Sequence, residues 1–295
     1  AGQLGDYGGC PFAFFAGRVL DLHEMADVTE DIDAMALGTV RHRCLAMFFI
    51  KWQETREDRR IEESDLPAAR EVMSGLVDWA FRDVAARSLV ADQAVFDVMR
   101  EEVRRDLTLW LEFEVRRVQV PQKGPGHTAT VLEAGFGYGR VPPLVIGEGD
   151  GQVLVRGRID RVDRFDDEDG SPAFAVYDYK SSKGPSSERI AEGKDFQLPA
   201  YAAAVRDYPR DSAAPRCVDW GYYKMRRPIY MRRKPKPETI EDLIEQMRGW
   251  ALKHAAAIRA GRFAPDPDTC DYCDYRSLCR WEQWRFEGKR PAGGD

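Results

Sequence analysis

Residues 157–184 read GRIDRVDRFDDEDGSPAFAVYDYKSSKG. Two runs rich in aliphatic and aromatic residues flank DDEDGSP, a segment of turn formers, so the stretch reads as an antiparallel hairpin. Side chains alternate along a strand, which places Phe174, Val176, Asp178 and Lys180 on one face. A turn centred near Asp169 sets Asp160 opposite Asp178. Opposed side chains have Cβ atoms about 4.5–5.5 Å apart, and like charges there destabilise a sheet. A divalent cation removes the conflict, and hard carboxylate oxygens suit Mg²⁺ or Mn²⁺. Such an ion activates water and stabilises charge on a phosphate, and Lys180 beside it could orient or deprotonate that water. The competing reading is a polar hairpin face with salt bridges.

Outward from the hairpin, the chain has 295 residues, room for one large domain or two small ones. Hydrophobic residues make up 43% and charged residues 32%, the balance of a soluble globular protein. The longest apolar run, Cys44–Ile50, is far short of the roughly 20 residues that cross a bilayer, so no membrane partner is expected. The start, AGQLGDYGG, lacks a basic-then-apolar signal pattern, and the expected compartment is cytoplasmic. Helical spacing runs from Asp31 to Glu54, over residues 67–117, over 195–206 and from Glu238 to Arg259, where Gly261 stops it. Between Thr128 and Lys180, and again at WGYYKM, β-rich runs broken by Gly and Pro read as strands. The organisation expected is a single domain, 1–295, with a helical insertion at 55–118 and a cysteine segment at 261–285.

Net charge is −6, from 44 basic and 50 acidic residues, which excludes a protein coated in basic charge but not a local basic groove. Residues 224–236, KMRRPIYMRRKPK, hold seven Lys/Arg and no acid. Lys224, Arg226, Arg227, Arg232 and Arg233, with Tyr230 for base stacking, could line a groove for a phosphate backbone. A solvated hairpin or a subunit contact explains the run equally well. Lys183 and Arg189, after the DYK strand, are further candidates for phosphate contact.

His42 shares the inward stripe of its helix with Gly38, Leu45 and Phe49, as a core histidine or a ligand would. Cys270, Cys273 and Cys279 follow a C-x2-C-x5-C spacing, and Cys10 is the best-placed fourth thiol. Four thiolates suit Zn²⁺ or an iron–sulfur cluster, and spacing alone does not separate them. Cys44 and Cys217 stand alone, as small buried hydrophobes.

GRIDRVD, then DYK, then QLPAY resembles the PD-(D/E)xK nuclease superfamily, and more narrowly the RecB-like iron–sulfur exonuclease domain of the AddB type, related to CRISPR-associated iron–sulfur exonucleases. The resemblance implies an α/β fold with a restriction-endonuclease-like core, a mixed sheet flanked by helices. It implies that Asp160, Asp178 and the main-chain carbonyl of Tyr179 ligate metal and that Lys180 is catalytic. Gly38, Thr39 and His42 match the family's G-t-x-x-H helix, which implies His42 as a further ligand. Gln197, Leu198 and Tyr201 match its Q-L-x-x-Y helix, so Gln197 and Tyr201 reach the site or the nucleic-acid backbone. Cys10-Pro11-Phe12 with Cys270, Cys273 and Cys279 implies a [4Fe–4S] cluster joining the N- and C-terminal segments. The function implied is an Mg²⁺- or Mn²⁺-dependent DNA exonuclease acting on single-stranded ends in repair and recombination, within a helicase–nuclease. The rival is a nuclease fold that binds DNA or a helicase without cutting.

Overall fold

The computed structural model describes residues 1–23, 34–55, 60–87, 92–119, 129–167, 170–181, 184–207, 215–226, 228–232, 239–266, 270 and 273–279. Its frame is a five-stranded mixed sheet. The strands are β1 (Val131–Phe136), β4 (Gly157–Asp166), β5 (Pro172–Lys180), β6 (Arg216–Lys224) and β7 (Ile229–Arg232), side by side in that order. Only β5 and β6 run parallel; the other neighbours are antiparallel. A separate ribbon joins β2 (Leu144–Ile146) to β3 (Val153–Val155).

The β4–β5 hairpin has the expected register. Arg161 opposes Tyr177 and Asp166 opposes Pro172, so Asp160 and Asp178 lie one step past the last paired rung. The turn closes through Asp167 N–H donated to the Ser171 carbonyl at 2.8 Å, with Gly170 at φ +77°, a conformation glycine adopts without strain. Seven consecutive residues of β5, Ala173–Tyr179, are buried, as a strand covered on both faces requires.

Each face carries a helical layer. On one side α3 (Ala34–Thr55), α4 (Leu66–Arg87) and α5 (Gln93–Gln119) share a core with Ala175, Tyr177, Tyr179 and Tyr223. Trp110, Phe48, Phe49 and Phe81 fill it, and all four are essentially inaccessible. The stretch expected as one helical insertion is therefore α4 and α5, which share this core with α3. They are two helices because Asp92 caps α5, its carboxylate accepting from Ala94 N–H at 2.7 Å and Val95 N–H at 3.2 Å. On the other side the short α6 (Ser187–Ala191), α7 (Gln197–Asp207) and α8 (Ile240–Arg259) share a core with Phe174, Val176, Trp220 and Tyr222. A reciprocal box between Thr239 and Asp242 starts α8, and Gly261 at φ +68° follows its end.

Alternation along β4 sends Arg161 and Asp163 into the α3–α5 layer, where water does not reach them. Arg161 forks onto Asp163 through Nε–Oδ1 at 2.6 Å and Nη2–Oδ2 at 2.8 Å, and its Nη1 donates to Glu114 Oε1 at 2.9 Å. Glu114 is forked in turn by Arg117, at 2.6 and 3.0 Å. Two arginines and two acids thus form a neutral, fully buried quartet directly behind Asp160, with the Arg161 guanidinium also over the rings of Phe49, Tyr177 and Tyr223.

The N-terminal segment, α1 (Gly2–Gly9), α2 (Pro11–Phe14) and a π-turn over Phe15–Val19, packs on the chain after α8. Tyr7 OH donates to the Arg262 carbonyl at 2.6 Å, and Phe263 stacks on Phe14 and Phe15. Tyr275, just before α9 (Arg276–Cys279), donates to the Leu22 carbonyl at 3.0 Å. Among the described residues no helix is long and apolar enough to cross a membrane.

Candidate active site

At the C-terminal end of β5, Asp178 and Lys180 project to the α7 side, as the alternation requires. Lys180 Nζ lies 2.7 Å from Asp178 Oδ2 and donates to Gln197 Oε1 at 2.8 Å. Gln197 Nε2 donates to Asp178 Oδ1 at 2.6 Å and to Tyr201 OH at 3.1 Å. One amide at the start of α7 therefore fixes both strand side chains, and Tyr201, one helical turn on, fixes the amide.

Asp160 enters from β4, where its Oδ2 accepts the Tyr179 N–H at 2.9 Å. His42 reaches it from α3, with Nδ1 3.3 Å from the same oxygen. The His42 side chain keeps 28% of its surface and stands edge-on to Tyr179, so it opens onto the site instead of filling the core. Thus the structure gathers His42, Asp160, Asp178, Lys180, Gln197 and Tyr201 into one constellation.

It adds one residue that the sequence motifs did not mark. Glu133 stands in β1 between Leu132 and Ala134, whose partners are Arg161 and Ile159, so it faces Asp160. Its backbone is left-handed, φ +49°, a costly conformation for a non-glycine residue. One donor atom each from His42, Glu133 and Asp160 lies within 4.8 Å of the others.

Burial, then the charge of Asp160, pushes the Asp178 carboxyl up to about 7 despite Lys180. The same two causes raise Glu133. For His42, burial favours the neutral ring, but the Asp160 hydrogen bond and the charges of Asp160, Asp178 and Glu133 prevail and raise it. Asp178 Oδ2 has no well-directed hydrogen bond of its own. Three carboxylates with one imidazole are a donor set that fits a hard divalent cation.

The cysteines assemble elsewhere. Cys10, at the α1–α2 junction, accepts the Asp266 N–H at 3.4 Å, and the Cys270 thiol donates to the Asp266 carbonyl at 3.7 Å. Burial first, then the neighbouring Cys10, Cys279 and Cys273, raises the Cys270 thiol. The other three thiols are thus within electrostatic reach of Cys270. Cys44 and Cys217 are far from this group in the two cores; burial pushes Cys44 up to about 12 and Cys217 higher still.

The described part of the basic run, 224–226 and 228–232, takes in the end of β6, the turn and β7. Lys224 pairs in register with Lys180 across β5–β6, and the Met225 N–H donates to the Lys180 carbonyl at 2.9 Å, so this hairpin begins beside the site. Tyr230 and Arg232 lie on β7 opposite Tyr223 and Gly221. Arg226 is exposed, with Nε 3.9 Å from Asp106, which Arg41 also pairs. Arg227, Arg233 and Lys183 lie outside the described residues.

Residues 1–280 match the PD-(D/E)XK nuclease superfamily. The chain is 26% identical over 267 residues to an ATP-dependent helicase/deoxyribonuclease of the AddB kind from Moorella thermoacetica, an alignment covering 87% of this chain and 22% of that protein. To the protein of the same name from Clostridium tetani it is 27% identical over 274 residues, 88% of this chain and 22% of the relative. To that from Symbiobacterium thermophilum it is 30% identical over 203 residues, 66% and 16%. The chain therefore spans 22% or less of the length of these relatives. A mixed sheet flanked by helices, with Asp160 and the Asp178-x-Lys180 pair at one end, is the arrangement expected of such a match, and the chain belongs to the PD-(D/E)XK nuclease superfamily.

Proposed function

We propose that the chain is a divalent-metal-dependent DNA nuclease, acting as an exonuclease on strand ends in DNA repair and recombination, and that it is the nuclease part of a helicase–nuclease. The observation that carries this is the convergence of His42, Glu133, Asp160, Asp178 and Lys180 at one end of the sheet. Its relatives bear the name helicase/deoxyribonuclease, which supports DNA as substrate and a helicase as partner.

In this reading His42, Glu133, Asp160, Asp178 and the Tyr179 carbonyl hold Mg²⁺ or Mn²⁺. A bound ion would lower the pKa of water and stabilise charge on the scissile phosphate. Lys180 places its ammonium where it can orient the attacking water and offset charge building on the phosphate. Gln197 keeps Asp178 and Lys180 in one geometry, and Tyr201 holds Gln197. Lys224 and Arg226 offer cations to the strand beside Lys180, and from the composition of the run Arg227, Tyr230, Arg232 and Arg233 are proposed to add to that contact. End-labelled single-stranded and duplex DNA should be degraded with Mg²⁺ or Mn²⁺, not in EDTA, and on the order of a thousandfold slower by Lys180→Ala. Equal rates for Lys180→Ala and the unaltered protein would refute the reading.

Cys10, Cys270, Cys273 and Cys279 are proposed to hold a [4Fe–4S] cluster that joins the chain's two ends. Closing so long a loop is worth roughly 5 kcal/mol by analogy with a disulfide. Anaerobically purified protein should be brown, and Cys10→Ala should lose the iron and melt at lower temperature. Zinc without iron on metal analysis would exclude the cluster.

A further inference from the structure

Gln197 and Tyr201 also line a cleft of about 360 Å³. Arg156, Arg189 and Lys194 line it, together with Asp6, Asp195 and the backbone of Gly157. Its acids are engaged elsewhere. Asp6 Oδ2 takes Arg18 at 2.8 Å, and Asp195 Oδ1 accepts from Gln197 N–H and Tyr222 OH, both at 3.2 Å. Lys194 lies 3.1 Å from exposed Glu192. Among the described residues neither Arg156 nor Arg189 ion-pairs with a carboxylate. The Arg156 guanidinium rests on the Tyr138 ring, 5.5 Å from its centroid. Gly157 lets the wall close on the site: a Cβ there would meet the Phe136 ring at 2.9 Å and Tyr201 Cε1 at 3.1 Å.

A cleft of that size holds one small polar ligand. Two unpaired guanidinium forks favour a phosphate, which they can grip in a bidentate manner. The cleft shares Gln197 and Tyr201 with the catalytic constellation, which makes it the neighbouring site for a strand bound at Asp178 and Lys180. We infer that this cleft is the subsite for the backbone phosphate of the nucleotide flanking the one being cut, with Arg156 and Arg189 as its clamp. The inference rests on the nuclease reading above and is tested independently of cleavage.

The probe is fluorescein-labelled oligo-dT, followed by anisotropy in EDTA between about 50 and 200 mM salt. Each phosphate contact on a single strand contributes about 0.7 to the slope of log K against log salt, so Arg156→Gln/Arg189→Gln should lower it by about 1.4. The low-salt Kd should rise roughly tenfold, and each single substitution should give about half the slope change. Arg87→Gln, on the exposed face of α4, should change nothing. The single variants keep the test open if the double variant melts below the unaltered protein. An unchanged slope, or no binding by the unaltered protein, overturns the inference. So does tight binding of dTMP that the double variant loses while the strand slope holds, since the cleft would then be a mononucleotide site. A lowered slope in a protein that cuts no DNA with metal would support the subsite and refute the nuclease.

Discussion

Arg161→Met should remove about 3–5 kcal/mol of folding stability, a large part of what a domain possesses. The side chain is wholly buried, and its hydrogen bonds include two to Asp163 and one to Glu114. Methionine fills much of the volume, so the cost is not chiefly a cavity. It is the uncompensated Asp163 carboxylate left in an apolar core. Arg161→Met/Asp163→Leu removes both charges and leaves Glu114 paired with Arg117, so the double variant should recover most of the loss. Urea denaturation of the unaltered protein, Arg161→Met, Asp163→Leu and the double variant decides it. A single-variant loss under about 1 kcal/mol, or a double-variant loss equal to the sum of two singles, would show that the quartet is not energetically coupled.

Acid should dissolve the same quartet. Burial works against the Glu114 carboxylate, but Arg117 and Arg161 outweigh that and hold its carboxyl at about 2, against 4.5 ordinarily. A group whose native pKa is depressed contributes stability above its unfolded pKa and loses it as pH falls toward the native value. The contribution of Glu114, on the order of 3 kcal/mol, should therefore be intact above about pH 5 and fade between there and pH 2. Glu114→Gln, if it still folds, should show a flatter acid limb.

The hairpin was legible because the turn formers of DDEDGSP fix its centre, and one fixed centre fixes every pair along both strands. That put Asp160 beside Asp178, and helical spacing put Gln197 and Tyr201 on one face. Glu133 was not legible by the same means. It meets Asp160 through the β1–β4 ladder, and residues 137–156 between those strands hold a second ribbon, so no short turn sets the register. Its left-handed backbone has no signature in VLEAGF. The quartet was hidden for another reason. Glu114 and Arg117 sit in a helix rich in charges of both signs, where spacing does not say which of them face inward, and only the packing of α5 on the sheet buries them. The basic run showed its composition but not its place; pairing of Lys224 with Lys180 across parallel strands is a long-range fact.

Asp160→Asn should separate metal binding from folding. The amide keeps an oxygen to accept the Tyr179 N–H, so the β4–β5 contact survives. What it loses is the charge that faces Glu133 and Asp178, the two carboxyls raised partly by Asp160 itself. In the proposed site that charge holds the cation. Mn²⁺ binding by calorimetry should therefore collapse, and DNA cleavage should fall on the order of a thousandfold, the several kcal/mol that a metal supplies to a phosphoryl transition state. The metal-free variant at pH 8, above the value of about 7 to which the Asp178 carboxyl is pushed, should melt no lower than the unaltered protein, because like-charge repulsion has been relieved. A residue of purely structural role would show the opposite pattern, a lower melting temperature with Mn²⁺ affinity preserved. Glu133→Gln should behave alike in kind and less in degree, about 10–100-fold in metal affinity, since its side chain is the more exposed of the pair and glutamine can still offer an oxygen. If Glu133→Gln leaves affinity and rate untouched, the strained backbone at that position serves the strand and not the ion.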